Sequence, residues 1–240
     1  QLSINIEYDQ HFKDSHYKFF LLINDDKISL QRNQNLAKEF MVDFASKQFQ
    51  YRYKNISKNS EQLIKALGKK NIDQDYIIDA TAGFGSDSFI LASLGYRVKL
   101  FEKSPIIALL LENGLERAMH DSNIKHIINN ITLYKTNFID NNVIDEFDNA
   151  IIFLDPMFNL AKKSANSKKN MQYIKEIVEY SSDIDCDNEE KLFNYSVNCR
   201  PKKIIVKRQI NADTLCIAST LQPTYIISGK KIRYDIYDIK

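Results

Sequence analysis

Glycine is scarce in this chain of 240 residues: there are six, and two of them, Gly83 and Gly85, stand in one loop. Cysteine is scarcer still. The three cysteines, Cys186, Cys199 and Cys216, form neither an even disulfide set nor a zinc-site spacing, so they read as reduced packing thiols. The four histidines, His11, His16, His120 and His126, are scattered outside the motifs, which leaves a zinc centre or a histidine-based mechanism with little support. No run approaches the roughly twenty apolar residues of a membrane span, and the polar N-terminus lacks a signal sequence. A cytoplasmic, soluble protein without a metal or a membrane partner is expected, its start at Gln1 suggesting processing or shortening. What is present is apolar content of 44%, enough for one substantial core with a small appended subdomain.

The glycine pair sits in Tyr76-Ile77-Ile78-Asp79-Ala80-Thr81-Ala82-Gly83-Phe84-Gly85, a short apolar run that ends in an acid and a tight turn. A buried strand delivered onto a glycine loop is how an open α/β sheet approaches a nucleotide-like ligand, because glycine lets backbone come close. A dinucleotide fingerprint wants a third glycine or alanine, and Ser88 stands there instead. Asp87, near the helix start, would repel a diphosphate. A cofactor without phosphate fits better, and S-adenosylmethionine is one. Seventeen residues past Gly85, Glu102 closes a second apolar run and can accept the ribose hydroxyls. The alternative for the glycine pair alone is a plain strand, turn and helix; Glu102 favours a cofactor site made with Asp79, Gly83 and Gly85.

A third run, Ala150-Ile151-Ile152-Phe153-Leu154-Asp155-Pro156-Met157-Phe158, reads as a buried strand stopped by a proline that cannot continue the ladder. Its Asp-Pro-x-aromatic end is similar to the active-site motif of methyltransferases that modify exocyclic amino groups of bases. Such an amine is a poor nucleophile, its lone pair delocalised into the ring. Asp155 and the carbonyl of Pro156 can hold the amino hydrogens, and Phe158 can stack on the base, so that catalysis comes from positioning and from stabilising developing charge. Taken alone, the segment reads more readily as a common strand-terminating turn; its place about seventy residues after the glycine loop removes that advantage.

The rest of the chain divides into residues 1–70, a small strand-rich cap with helical content for substrate binding, and residues 71–240, an α/β domain. In the first, two apolar runs flank Asn24-Asp25-Asp26 as a hairpin, and residues 61–67 form a short helix closed at Gly68. In the second, crossover helices are expected at 87–94 and 106–118, the latter entered through Pro105. Strands are expected at 131–134, 151–154 and 203–206, and a terminal hairpin at 224–237. Alternating strands and helices mark a mainly parallel sheet. A seven-stranded mixed sheet ending in a β-hairpin is the class I, Rossmann-like methyltransferase architecture.

The stretch from Asp79 to Ser93, then Glu102 and Pro105, then Leu154-Asp155-Pro156-Met157-Phe158 resembles the RsmJ family of bacterial 16S ribosomal RNA guanine-N2 methyltransferases. The likeness continues to Val206-Lys207-Arg208 and Arg233-Tyr234-Asp235-Ile236-Tyr237, and weakly upstream through Val42-Asp43-Phe44 and Tyr51-Arg52-Tyr53-Lys54. It implies that S-adenosylmethionine is held by Ser86 and Asp87, by Glu102 and Lys103, by Thr136 and Asn137, and by the motif acid Asp155. It also implies methyl transfer to a guanine N2 of 16S rRNA, free or in the 30S subunit. Three positions depart from the family pattern: Ser86 replaces a longer basic residue, Lys103 an arginine, and Asn159 a proline after Phe158.

Net charge is only +2, but from Cys199 to Lys240 nine Lys or Arg face three Asp. Lys162, Lys163, Lys168 and Lys169 follow the motif with no acid between Pro156 and Lys175. With Lys207 and Arg208 they can neutralise phosphates beside the active site. Arg52 and Lys54 alternate with Tyr51 and Tyr53, which suits stacking plus phosphate contact. Alternatives are an amino-group methyltransferase acting on DNA adenine or another RNA amine, a non-catalytic RNA-binding protein that holds the cofactor, and, more distantly, a pyridine-nucleotide oxidoreductase.

Overall fold

A computed structural model describes residues 18–33, 39–55, 62–68, 75–142, 147–156, 187–215 and 221–239. The apolar runs flanking the Asp25-Asp26 turn form an antiparallel hairpin, β1 (Phe19–Asn24) and β2 (Lys27–Arg32). Two helices follow, α1 (Lys47–Lys54) and α2 (Gln62–Leu67). The stretch read as strand-rich therefore holds one hairpin and two helices among the described residues. In α1, Phe49 and Tyr53 are four apart and both lie edge-on to Phe89, so the aromatics alternating with cations follow a helical rather than an extended period.

From Tyr76 the chain alternates: β3 (Tyr76–Asp79), α3 (Ser86–Ser93), β4 (Arg97–Phe101), α4 (Pro105–Met119), α5 (Lys125–Ile128), β5 (Ile131–Tyr134), β6 (Ala150–Leu154), α6 (Asp187–Asn198), β7 (Lys203–Gln209), β8 (Tyr225–Ser228) and β9 (Ile232–Asp238). The expected elements are recovered within a residue or so, except that β7 runs three residues further, to carry Lys207 and Arg208 inside the strand. Helices α5 and α6 were not anticipated. The seven strands lie in the order β5-β4-β3-β6-β7-β9-β8, parallel except for β9, which is antiparallel to both neighbours. The expected seven-stranded mixed sheet with a C-terminal hairpin is what forms.

The central strands are apolar on both sides because both faces are covered. Ile77 of β3 and Ile151 and Phe153 of β6 join one core, with α3, α4 and the N-terminal hairpin. Their neighbours Ile78, Ile152 and Leu154 point the other way, into a second core with Phe193 of α6 and Tyr237 of β9. The period of two that alternates faces thus splits one apolar run between two layers.

The hairpin is fastened to α4 by polar groups. Asn113 accepts from the Ile28 amide at 2.9 Å and donates to the Asp26 carbonyl at 2.7 Å, and Arg117 donates to the Val42 carbonyl. Between them, Gly114 admits Val42 so closely that a Cβ there would stand 2.7 Å from its Cγ1. Leu30, Phe40, Val42 and Phe44 accordingly share the first core with α3 and α4.

Candidate active site

Strand β3 leads to β4 and β5 on one side, and the chain then crosses back to lay β6 on the other side of β3. The carboxyl ends of β3 and β6 therefore flank a switch point, where open α/β sheets bind ligands. Asp79 ends β3 and Asp155 follows β6 directly; Asp79 is level with Phe153. Glu102 follows β4, and Thr136 and Asn137 follow β5. Leu154 pairs with Val206, which makes Lys207 of β7 the next residue along beside Asp155.

The glycine loop is built from within. Gly83 and Gly85 take φ of 55° and 69°, the left-handed region that a side chain disfavours. A Cβ on Gly85 would lie 2.8 Å from Leu111 Cδ1 and 3.3 Å from Phe44 Cζ. Gly85 is thus needed for its conformation and for close packing on the core, whereas the sequence suggested a close approach to ligand. The Gly83 amide donates to Glu102 Oε2 at 2.8 Å, and the Ser104 amide to Oε1 at 2.8 Å. Burial pushes the Glu102 carboxyl up to about 7, against those two amides. Glu102 therefore shapes the loop, and each carboxylate oxygen keeps a second lone pair.

Asp79 is 2% exposed and accepts from the Thr81 amide at 3.1 Å and from the Ser88 hydroxyl. Burial raises its carboxyl to about 7, the Ser88 hydrogen bond opposing. Thr81 Oγ1 in turn accepts from the Asp155 amide at 2.7 Å, tying the glycine loop to the Asp-Pro turn. The sequence marks neither Thr81 nor Ser88 as a partner of Asp79; Ser88 stands out only as the residue in place of a third glycine. The only available signal was a hydroxyl at each turn around the strand-end acid.

Four charges form a chain across the switch point. Arg52 Nη2 on α1 contacts Asp87 Oδ1 at 3.0 Å, Asp87 Oδ2 meets Lys207 Nζ at 2.8 Å, and Lys207 Nζ also meets Asp155 Oδ2 at 2.7 Å. Burial works to raise the Asp87 carboxyl, but Lys207 and then Arg52 overcome it and hold the group below the ordinary carboxylate range. Asp155 goes the other way: burial raises it, Lys207 opposes and Asp87 adds to the rise. Tyr234 of β9 faces Lys207 in register, its hydroxyl pushed up by burial and by Asp87.

The other predicted site residues separate. Arg52 and Lys207, read as phosphate contacts, turn inward to these acids. Arg208, read likewise, has a side chain 6% exposed that pairs with Glu189 of α6 at 3.0 Å and donates to the Asp213 carbonyl at 3.1 Å, a buried internal pair rather than a surface cation. Lys54 is exposed on α1 and Lys103 is exposed beyond β4. Ser86 and Thr136 are half-buried and Pro156 is buried. Asn137 caps the short turn Phe138–Asp140 by accepting from the Ile139 amide at 3.4 Å. Phe158, Lys162, Lys163, Lys168 and Lys169 lie outside the described residues. Among the described residues no three His, Cys, Asp or Glu side chains gather as metal donors, and no helix is long and apolar enough to cross a membrane.

The sequence pattern of a family described as putative SAM-dependent methyltransferase matches residues 5–239. The chain is 36% identical over 198 residues to a ribosomal RNA small subunit methyltransferase J of Thioalkalivibrio sulfidiphilus, covering 82% of this chain and 74% of that one. Identity is 34% over 236 residues to the protein of the same name from Buchnera aphidicola subsp. Schizaphis graminum, covering 95% and 89%. The chain belongs to the methyltransferase J family of SAM-dependent methyltransferases. The crystal structure of a SAM-dependent methyltransferase from Neisseria gonorrhoeae superposes with a TM-score of 0.71 at 28% identity, over 94% of this chain and 84% of that one. The cofactor of a methyltransferase J family member is S-adenosylmethionine, and the donor set at the switch point suits it. Asp79, Asp87, Glu102 and Asp155 are carboxylates, matched to a sulfonium, an ammonium and ribose hydroxyls, and an acid stands in the first turn of α3 where a diphosphate would need bare amides.

Proposed function

We propose that this methyltransferase transfers a methyl group to the exocyclic N2 of a guanine in 16S ribosomal RNA, acting in the cytoplasm on the free RNA or the 30S subunit. The names of its relatives support a small-subunit ribosomal RNA substrate. The observation that carries the chemistry is Asp155: it stands at the end of β6 beside Asp79, its Oδ2 held by Lys207 and its Oδ1 meeting no donor among the described residues.

S-adenosylmethionine, when bound, supplies an electrophilic methyl on a sulfonium. Asp79, Ser86, Asp87, Glu102, Lys103, Thr136 and Asn137 are the residues proposed to hold it around the strand ends. Asp155 accepts a hydrogen from the guanine amine through its free oxygen, and the Pro156 carbonyl accepts the second. That grip localises the lone pair on nitrogen and stabilises the positive charge that grows there. Phe158 stacks on the base. The target guanine leaves its stack or lies in a single strand, since an amine buried in a helix cannot reach this turn. The outer face of α1, with Tyr51 74% exposed between Lys47 and Lys54, is suited to a strand passing the site.

The test is transfer of labelled methyl to 16S rRNA, free and in 30S particles, followed by nucleoside analysis, with Asp155→Ala as control. Label in N2-methylguanosine that disappears in the variant is the expected result. Label in another nucleoside would replace the guanine reading, and cofactor binding with no transfer to any nucleic acid would replace the enzyme by a binding protein.

A further inference from the structure

We propose that Lys207 is a positioning residue: from β7 it grips one oxygen of Asp155 and one of Asp87, which holds the Asp155 carboxylate ionised with its second oxygen free for the amine. The proposal rests on the amine-transfer reading above and concerns how that site is set.

Two acids lie at the head of this arrangement, Asp87 from α3 and Asp155 from the end of β6, with side chains 16% and 31% exposed. Like charges that share one cation in a partly buried site push one carboxyl toward its neutral form. A protonated Asp155 would carry a hydrogen where the amine needs an acceptor. Lys207 removes the conflict by standing between them, 2.8 Å from one and 2.7 Å from the other, both short charge-assisted contacts. The register fixes it there, since Val206 pairs with Leu154 and Lys207 follows.

Among the described residues, Asp79 on β3 is held by Ser88 and Thr81, Arg52 on α1 pairs with Asp87, and Tyr234 on β9 faces Lys207 across the ladder. Lys207 is therefore the cation that touches Asp155 among the described residues. Its side chain is 21% exposed, so its charge is directed inward, and a phosphate would have to compete with two carboxylates for it.

The test compares wild type, Lys207→Met and Lys207→Arg by two readouts. The first is independent of turnover: titration of the Asp155 carboxyl carbon by NMR, whose midpoint should rise by about 1–3 units in the Met variant and return in the Arg variant. The second is steady-state kinetics across pH. In Lys207→Met, kcat on the acid limb should fall by about 10-fold or more and recover as pH rises past the shifted carboxyl midpoint. KM for RNA should stay within about twofold. An unmoved carboxyl midpoint overturns the proposal. So does an unchanged kcat profile with a raised RNA KM and a salt slope lower by about one, the mark of a phosphate contact. If wild type transfers no methyl to RNA, the functional reading fails while the carboxyl titration still decides the role of Lys207. If the Met variant does not fold, the wild-type ammonium decides: its protons should exchange far more slowly than those of Lys54, and equal exchange overturns the proposal.

Discussion

Two charged clusters sit on neighbouring strands of the same sheet and are built on opposite plans. On β9, Arg233 lays its fork on Asp235, Nε to Oδ1 at 2.7 Å and Nη2 to Oδ2 at 3.1 Å, and gives Nη1 to the Ile210 carbonyl at 2.8 Å. Asp235 is wholly buried, and both its oxygens are used. At the switch point, Lys207 divides one ammonium between two acids, and Asp155 keeps an oxygen that no described donor meets. The closed pair has nothing to offer a ligand. The open cluster is held from one side and leaves an oxygen open on the other, as the proposed acceptor role requires.

The contrast predicts opposite outcomes for removing an acid from each. Asp235→Ala strands a buried guanidinium and should cost about 3–5 kcal/mol of stability. Asp155→Ala should leave stability within about 1 kcal/mol, since burial already disfavours its charged form and Lys207 keeps Asp87, yet lower kcat by about 100-fold or more. Denaturant melts and methyl transfer per folded molecule separate the two. A stability loss at Asp155 as large as at Asp235 would mean that the switch-point cluster is a structural pair like the other.

A second test probes the wall of the open cluster. Ser88→Ala leaves a buried Asp79 oxygen without its donor and should cost about 1–3 kcal/mol. The pH dependence has a definite sign. The folded Asp79 carboxyl stands at about 7, above its ordinary 3.8, so between those values the folded state keeps a proton the unfolded chain has lost; stability falls as pH rises from 3.8 to about 7, and the penalty is complete above it. Ser88 favours the ionised form. The stability gap between wild type and variant should therefore be wider near about pH 8 than near about pH 5. A gap that narrows with rising pH would show that Ser88 supports the neutral acid instead.

How much of this was legible in the sequence follows from range. The strands, their order of appearance and the acids at their ends were readable because an apolar run broken by an acid, glycine or proline is a local pattern. Asp79, Glu102 and Asp155 were found that way, and they do converge. The partners of Lys207 were not readable, since Asp87 is 120 residues away along the chain and only the pairing of β7 with β6 brings them together. The burial of Arg208 is hidden for the same reason: a Lys-Arg pair looks basic in sequence, but in a strand the two side chains face opposite ways, here one to each face of the sheet. Asn113-Gly114 in α4 gave no signal at all, being a poor helix pair whose purpose is visible only in its contacts with β2 and Val42.

That fastening offers a middle-sized test of whether the hairpin supports the site. Gly114→Ala gains helix propensity of about 1 kcal/mol but drives a Cβ to 2.7 Å from Val42 Cγ1 and 2.9 Å from its carbonyl oxygen. Because one of those atoms is backbone, overpacking should win by about 1–2 kcal/mol. If the segment through Phe44 supports the glycine loop at Gly85, cofactor affinity should weaken in parallel; unchanged affinity in a destabilised variant would separate the hairpin from the site.

The smallest effect distinguishes the two faces of α1. Arg52 points inward to Asp87, whereas Lys54 is exposed on the face that also carries Tyr51. One surface phosphate contact changes affinity only a few-fold, but it leaves a recognisable mark, because each neutralised phosphate releases counterions. Lys54→Ala should lower the logarithmic salt slope of RNA binding by about one and leave cofactor affinity unchanged. Arg52→Ala should do the reverse, loosening Asp87 beside the cofactor loop with the salt slope unmoved. An identical loss of slope in both variants would mean that Arg52 leaves Asp87 when RNA arrives, and the inward and outward faces of the helix would then be one RNA-binding surface.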